Sequence, residues 1–224
     1  MLSTDFIAGS YKGLTHTENQ DGYLILDEAD YTIFAIFDGV SRAKNPRKGV
    51  DIAMKFITQH HHRFIGFKAM QLNELMEAVN QNIFLSGIPE CLTTYVIAGF
   101  YKNNPFGIIY SNLGDSRIYH INGMELHQLT TDDTLWPGSN ILTKCLGSEY
   151  VSHEDFRQQE HTISEGYMLL ATDGCYALWD THHTELVKNL NKSGIKQFKG
   201  YFDNFITGKN YDDATYVLVA YNSD

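Results

Sequence analysis

The chain has 224 residues, 43% of them hydrophobic and 20% charged, and a formal net charge of −10. This composition suits a globular protein with a sizeable core, while the acidity argues against nucleic acid, which binds basic patches, and against an anionic membrane surface. Cys91, Cys145 and Cys175 are too few and too scattered for a disulfide framework or a zinc motif, no apolar run is long enough to span a membrane, and residues 1–6 show no leader pattern, so a cytoplasmic protein is expected.

Phe6 to Tyr11 reads as a first strand, and 13–21 as a polar loop carrying His16, Glu18, Asn19, Gln20 and Asp21. Tyr23 to Leu26 is a second strand, turned by the polar residues 27–30 into Ile33 to Phe37. That third run is apolar at every position, the mark of a strand buried on both faces. It ends in Asp38-Gly39, a carboxylate that is costly to desolvate unless something pairs with it. A polar loop with Ser41, Arg42 and Lys44 follows. Val50, Ala53, Met54, Phe56, Ile57 and Phe64 then suit one amphipathic helix, and Leu72 to Phe84 a second, stopped by Gly87 and Pro89.

Strands return at 94–100 and 107–110, with a turn expected at 112–115 and another strand at 116–121. Asn122-Gly123 signals a hairpin into 125–129. The stretch 130–162 is polar and carries no clear period; long loops of this kind are usually functional or mobile. Tyr167 to Gly174 repeats the earlier pattern, an apolar run ending in Asp173-Gly174. Helical stretches around 186–190 and 195–206 precede Tyr211-Asp212-Asp213-Ala214 and a last strand, 216–221. Strands and helices do not alternate regularly. Mostly antiparallel sheets with helices on their outer faces fit better than a doubly wound parallel sheet. Acidic sites spread from one end of the chain to the other favour a single domain over 1–224.

Asp21, Asp38, Asp115, Asp173 and Asp212 each fall at a strand end or in a tight turn. Aspartate is common in turns for its own hydrogen bonding, which is a sufficient account of any one of them. The repeated Asp-Gly at the end of an apolar run weighs the other way. Convergent bare carboxylates repel by about 1–4 kcal/mol per close pair, a cost that a hard divalent cation removes. Oxygen ligands without cysteine or spaced histidine suit Mg²⁺ or Mn²⁺, and two such ions can clamp a phosphoryl group. The tracts His60-His61-His62 and His182-His183 have no partner spacing and read as solvated helix ends. Trp136, Trp179 and Cys175 read as packing residues.

In these motifs, taken in order, the chain resembles the metal-dependent serine/threonine protein phosphatases of type 2C in their compact bacterial form. Glu18 to Asp21, Phe34 to Gly39, Thr93-Thr94, Gly114-Asp115-Ser116-Arg117, Leu129 to Asp133, Leu142 to Gly147, Leu169 to Gly174 and Asp212 to Thr215 carry the likeness. The resemblance implies an α+β fold, a four-layer α-β-β-α sandwich of two mainly antiparallel sheets flanked by helices. It implies a two-ion site of Mn²⁺ or Mg²⁺, with a third, weaker position. Asp38 would bridge the ions, with the Gly39 carbonyl on one and Asp173 and Asp212 on the other. Asp21 would hold a metal-bound water, and Asp115 would serve the third position. A mobile flap is implied near 136–153.

The expected function is hydrolysis of phosphoserine or phosphothreonine in proteins by a metal-bridging hydroxide, on a phosphoprotein substrate opposed by a cognate Ser/Thr kinase. Departures from the family pattern concern the phosphate grip. His16 stands where an arginine is usual, Val40 where eukaryotic members carry a histidine, and Arg42 in the following loop is the alternative ligand. These departures motivate a second reading, a low-turnover phosphoprotein-binding module on the same fold. An aspartyl-phosphate phosphotransferase is disfavoured, because Val40 occupies the place of its second aspartate.

Overall fold

The computed structural model describes residues 5–66 and 69–221, so the leader reading of residues 1–4 lies outside the described residues. Ten strands form two five-stranded sheets, every pairing antiparallel. The first sheet runs β1 (Phe6–Tyr11), β10 (Ala214–Tyr221), β9 (Gly166–Ala171), β6 (Arg117–Asn122), β7 (Glu125–Gln128). The second runs β2 (Gly22–Asp27), β3 (Tyr31–Gly39), β4 (Thr93–Tyr101), β5 (Asn104–Leu113), β8 (Gln158–Thr162). Helices α1 (Pro46–His60) and α2 (Leu72–Leu85) cover the second sheet, and α3 (Asp173–Ile206) covers the first.

Strand alternation sorts the side chains into layers. In β3, Ile33, Ala35 and Phe37 pack under α1 and α2, while Phe34 and Ile36 meet the other sheet. In β10, Tyr216, Leu218 and Ala220 face α3, and Val217, Val219 and Tyr221 face inward. A run that is apolar at every position is therefore what a strand between a helical layer and a second sheet requires. Each such fully buried side chain stabilises the fold by roughly 1.5–3 kcal/mol. The four-layer α-β-β-α sandwich follows as expected.

The antiparallel register positions the acids. The start of one strand lies beside the end of its neighbour, and Gly22 pairs with Phe37, so Asp21 sits next to Asp38. Ala171 pairs with both Tyr216 and Arg117. Asp173, Asp212 and Asp115 therefore cluster at the corresponding end of the first sheet.

Several sequence expectations need correction. Phe64 lies beyond α1, in a turn after a short 3-10 segment. Asn112 and Leu113 belong to β5, and the turn begins only at Gly114, whose φ is +99°. Strand β8, Gln-Gln-Glu-His-Thr, is an edge strand with no apolar alternation, so its sequence gave no signal. His61 is buried with its Nδ1 2.7 Å from the Tyr31 hydroxyl, not solvated. His182 marks a break inside α3, where its ring packs against Phe205. Trp179 is fully buried against Phe198 and Phe202, as expected of a packing residue.

Candidate metal centre

Asp38 lies on the inner face of β3, in register with Thr94, and keeps partial access to solvent at the mouth between the sheets. Its carboxyl is held well above the usual range, first by burial and then by the charges of Asp21, Asp173, Asp115 and Asp212. All five acids singled out in the sequence thus face one another. Asp173 is pushed up to about 7 by burial and by Asp212 and Asp115. Burial also raises Asp21 and Asp115. No lysine or arginine figures among the main influences on Asp21, Asp38 or Asp173.

Asp38 ends β3, whereas Asp173 lies beyond β9 and opens α3, and the glycine after each has a steric purpose. A Cβ on Gly39 would stand 2.7 Å from the Gln20 carbonyl, and one on Gly174 would stand 2.3 Å from the Asp213 carbonyl. Both contacts are closer than real Cβ atoms come. Each glycine lets its segment approach the backbone that carries the next acid, Asp21 in one case and Asp212 in the other. Gly114 does the same against Thr94 ahead of Asp115.

Hydrogen bonds then fix the acids in place. Thr172 Oγ1 donates to Asp21 Oδ2 at 2.8 Å, across the gap between the sheets. Thr93 Oγ1 donates to the Asp38 carbonyl at 2.8 Å. Next to Asp115, the hydroxyls of Ser116 and Thr94 lie 2.7 Å apart. Arg117 grips Asp132 through Nε and Nη2 and reaches Asp180 and the Tyr119 hydroxyl through Nη1, with its guanidinium 3.8 Å from the Tyr176 ring centroid. It joins β6 to the 130–133 segment and to α3.

Sequence reasoning missed two residues. Asp213 is 2% exposed and accepts the backbone N–H groups of Gly13 and Gln20, each at 2.6 Å. Asn210 is buried too, and its amide donates to the carbonyls of Tyr11, Lys12 and Asp212. Together they fasten the 12–20 loop to the 210–213 segment. The one available signal was Asp213 itself, a second acid where the resemblance offers asparagine.

His16 is drawn into this clamp. Its Nδ1 lies 2.9 Å from Asp213 Oδ2 and 3.5 Å from Asp212 Oδ1, while Nε2 is 3.5 Å from Ser41 Oγ. Among the described residues, His16, Asp212 and Asp213 form the one histidine–carboxylate trio whose donor atoms all lie within 4.8 Å of one another. Arg42 is exposed, and no hydrogen bond or ion pair of its side chain occurs among the described residues. Residues 134–153 carry two isolated bridges, Thr134 to Leu142 and Leu146 to Thr93, and expose Leu135 and Trp136. Cys175 is fully buried and its thiol is pushed well up by burial, so it is no nucleophile.

The donor set fits hard divalent cations. It offers oxygen ligands and carboxyls whose pKa values are raised by burial and by one another's charges, and no lysine or arginine is among the main influences on Asp38. Comparison with known proteins agrees. The family described as Protein phosphatase 2C matches residues 9–206. Among curated proteins no sequence match was found. Similar solved structures include the serine/threonine phosphatase Stp1 from Staphylococcus aureus, with a TM-score of 0.80 at 20% identity over 100% of this chain and 96% of that one. The serine/threonine phosphatase PstP/Ppp of Mycobacterium tuberculosis gives 0.74 at 19% identity, over 99% and 100%. PppA from Pseudomonas aeruginosa, described as a regulatory component of T6SS, gives 0.69 at 20% identity over 97% of each chain. At these identities the structural likeness establishes the fold.

Proposed function

The chain belongs to the protein phosphatase 2C family, the protein serine/threonine phosphatases, and from that membership we propose that it hydrolyses phosphoserine and phosphothreonine in proteins with the help of Mn²⁺ or Mg²⁺. The observation that carries the metal requirement is the convergence of Asp21, Asp115, Asp173 and Asp212 on Asp38. Asp38, the Gly39 carbonyl, Asp173 and Asp212 would hold two ions, Asp21 would sit one layer out, and Asp115 with Asp173 would offer a third, weaker position. When bound, the ions supply an activated water and neutralise charge on the phosphoryl oxygens. The charges of all four other acids act on Asp38. Thr172 holds Asp21 in one rotamer, and Thr93 steadies the Asp38 backbone.

Asp213 occupies the Nδ1 side of His16, so only Nε2 is left for a phosphate oxygen. The side chain of Arg42 has no such commitment, and we assign it the phosphate grip. The substrate is a phosphoprotein, opposed by a Ser/Thr kinase. One catalytic domain spans 1–224, working in the cytoplasm, a placement supported by three free, buried cysteines.

The test is hydrolysis of p-nitrophenyl phosphate and of phosphopeptides by wild type and Asp38→Asn, with Mn²⁺ or with a chelator. Turnover that needs Mn²⁺ and vanishes in Asp38→Asn is expected; turnover that survives chelation refutes the metal-dependent reading. The weak grip left by His16 and Val40 favours one second reading, a phosphoprotein-binding module with little turnover. That reading would be chosen by tight phosphopeptide binding without hydrolysis in Mn²⁺.

A further inference from the structure

Helix α3 and the segment before β10 stand apart just where both leave the acidic centre. One face of the helix, Asp173, Gly174, Ala177, Leu178, Thr181 and His182, and residues 208–212 opposite, line an open recess of about 610 Å³. The helical residues recur at the spacing of a single face. Asp173 closes one wall at the centre and Asp212 closes the other, so the recess opens directly onto the acids rather than lying elsewhere on the surface.

At its far end α3 leaves helical geometry at His182, with φ −123° and ψ 17°. The displaced imidazole packs edge-on against Phe205, at 5.2 Å between ring centroids, and Lys209 Nζ sits 3.7 Å from the centroid of the same ring. A second recess of about 470 Å³ shares Thr181 and His182 and continues along α3 to Lys188. From Asp173 to the break at His182 the helix advances about 14 Å at 1.5 Å per residue, which matches about four residues of extended chain at 3.3 Å each.

We propose that this channel holds the substrate polypeptide on one side of the phosphorylated residue, in extended form, with the phosphate over Asp38 and the flanking chain between α3 and residues 208–212. The proposal rests on the phosphatase reading and adds to it where the peptide runs. The channel begins at the acids, has the length of a peptide segment and is too open for a small metabolite. Its walls mix apolar surface at Ala177, Leu178 and the exposed ring of Tyr211 with the cations of Lys209 and Lys188. Glu185 lines the same recess as Lys188, so the walls carry both signs of charge.

The experiment uses the Mn²⁺-loaded full chain and two substitutions of exposed residues, Ala177→Trp to fill the channel and Tyr211→Ala to remove a wall. The first readout is the ratio of kcat/KM for a ten-residue phosphothreonine peptide to that for p-nitrophenyl phosphate, which is too small to enter the channel. This ratio is expected to fall about tenfold in Ala177→Trp and about threefold in Tyr211→Ala. The second readout is the Kd of a non-hydrolysable phosphonate version of the peptide, expected to weaken by similar factors. A ratio and a Kd that both stay at the wild-type values in Ala177→Trp overturn the proposal. Should wild type hydrolyse neither substrate, the phosphatase reading fails, and the phosphonate-peptide Kd still decides whether the channel holds a peptide.

Discussion

Replacing Asp38 by asparagine should stabilise the protein when metal is absent and remove most of the stabilisation that metal brings to wild type. Asp38 faces four other carboxylates without a lysine or arginine among its main neighbours. A close like-charge pair costs about 1 kcal/mol in water and about 4 kcal/mol at the effective dielectric of a partly buried site. Protons shared within the cluster lower that cost, as the rise of Asp173 to about 7 shows. Removing the central charge should therefore return roughly 2–4 kcal/mol. For a chain of this size that is about 4–15 °C in Tm. With Mn²⁺ at a hundred times its Kd, wild type gains about 2.7 kcal/mol from binding, which the variant largely forgoes. The assay is thermal unfolding at pH 7.5, in chelator and across a Mn²⁺ titration. A lower Tm for Asp38→Asn in chelator, or a Mn²⁺-induced shift equal to that of wild type, would refute the reasoning.

The same cluster predicts an inverted pH dependence for the metal-free protein. Asp21, Asp38, Asp115 and Asp173 have folded pKa values above the unfolded value of about 3.9, so between pH 4 and about 7 the folded state keeps protons that the unfolded state has released. Stability should fall as pH rises through that window, and saturating Mn²⁺ should flatten the slope; Tm measured from pH 5.5 to 8 with and without chelator checks this. Asp213→Ala strands the buried N–H groups of Gly13 and Gln20 and should cost roughly 2–6 kcal/mol in urea unfolding, with Asp213→Asn milder because it keeps one acceptor. Arg117→Ala leaves Asp132, 17% exposed, without its bidentate partner. It should cost about 3–5 kcal/mol and speed proteolysis of the 130–157 segment, and Arg117→Lys should recover only part of this.

The sandwich was legible because its signals are local. A strand between a helical layer and a second sheet must be apolar at every position, and Ile33 to Phe37 and Tyr216 to Tyr221 are nearly so. An aspartate following such an apolar run is what made Asp38 and Asp173 readable, although Asp173 opens α3 rather than closing β9. Strand β8 carries no such signal, because an edge strand with both faces partly wet tolerates Gln, Glu and His alike. His182 reads as a helix end in sequence, and its non-helical backbone, with the ring packed on Phe205, places it at a break within α3.

What the sequence could not reveal is how the acids are held together against their own repulsion. Asp213 and Asn210 look like ordinary turn residues, and their value comes from partners some 200 positions away, Gly13, Gln20, Tyr11 and Lys12. The two Asp-Gly pairs hide a similar dependence. Each glycine is required not by its own turn but by a distant carbonyl, that of Gln20 or Asp213, pressed against the place of its missing Cβ. The acids at Asp38 and Asp173 can thus be read from their own strands, whereas the geometry that makes them one centre is set by residues whose chemistry is commonplace. A substitution at Gly39 or Gly174 should therefore displace Asp21 or Asp212 without touching either carboxylate. Gly174→Ala, measured by Mn²⁺ affinity rather than by turnover, is the sharpest check: an affinity equal to wild type would show that the close approach of α3 to Asp213 has no part in assembling the centre.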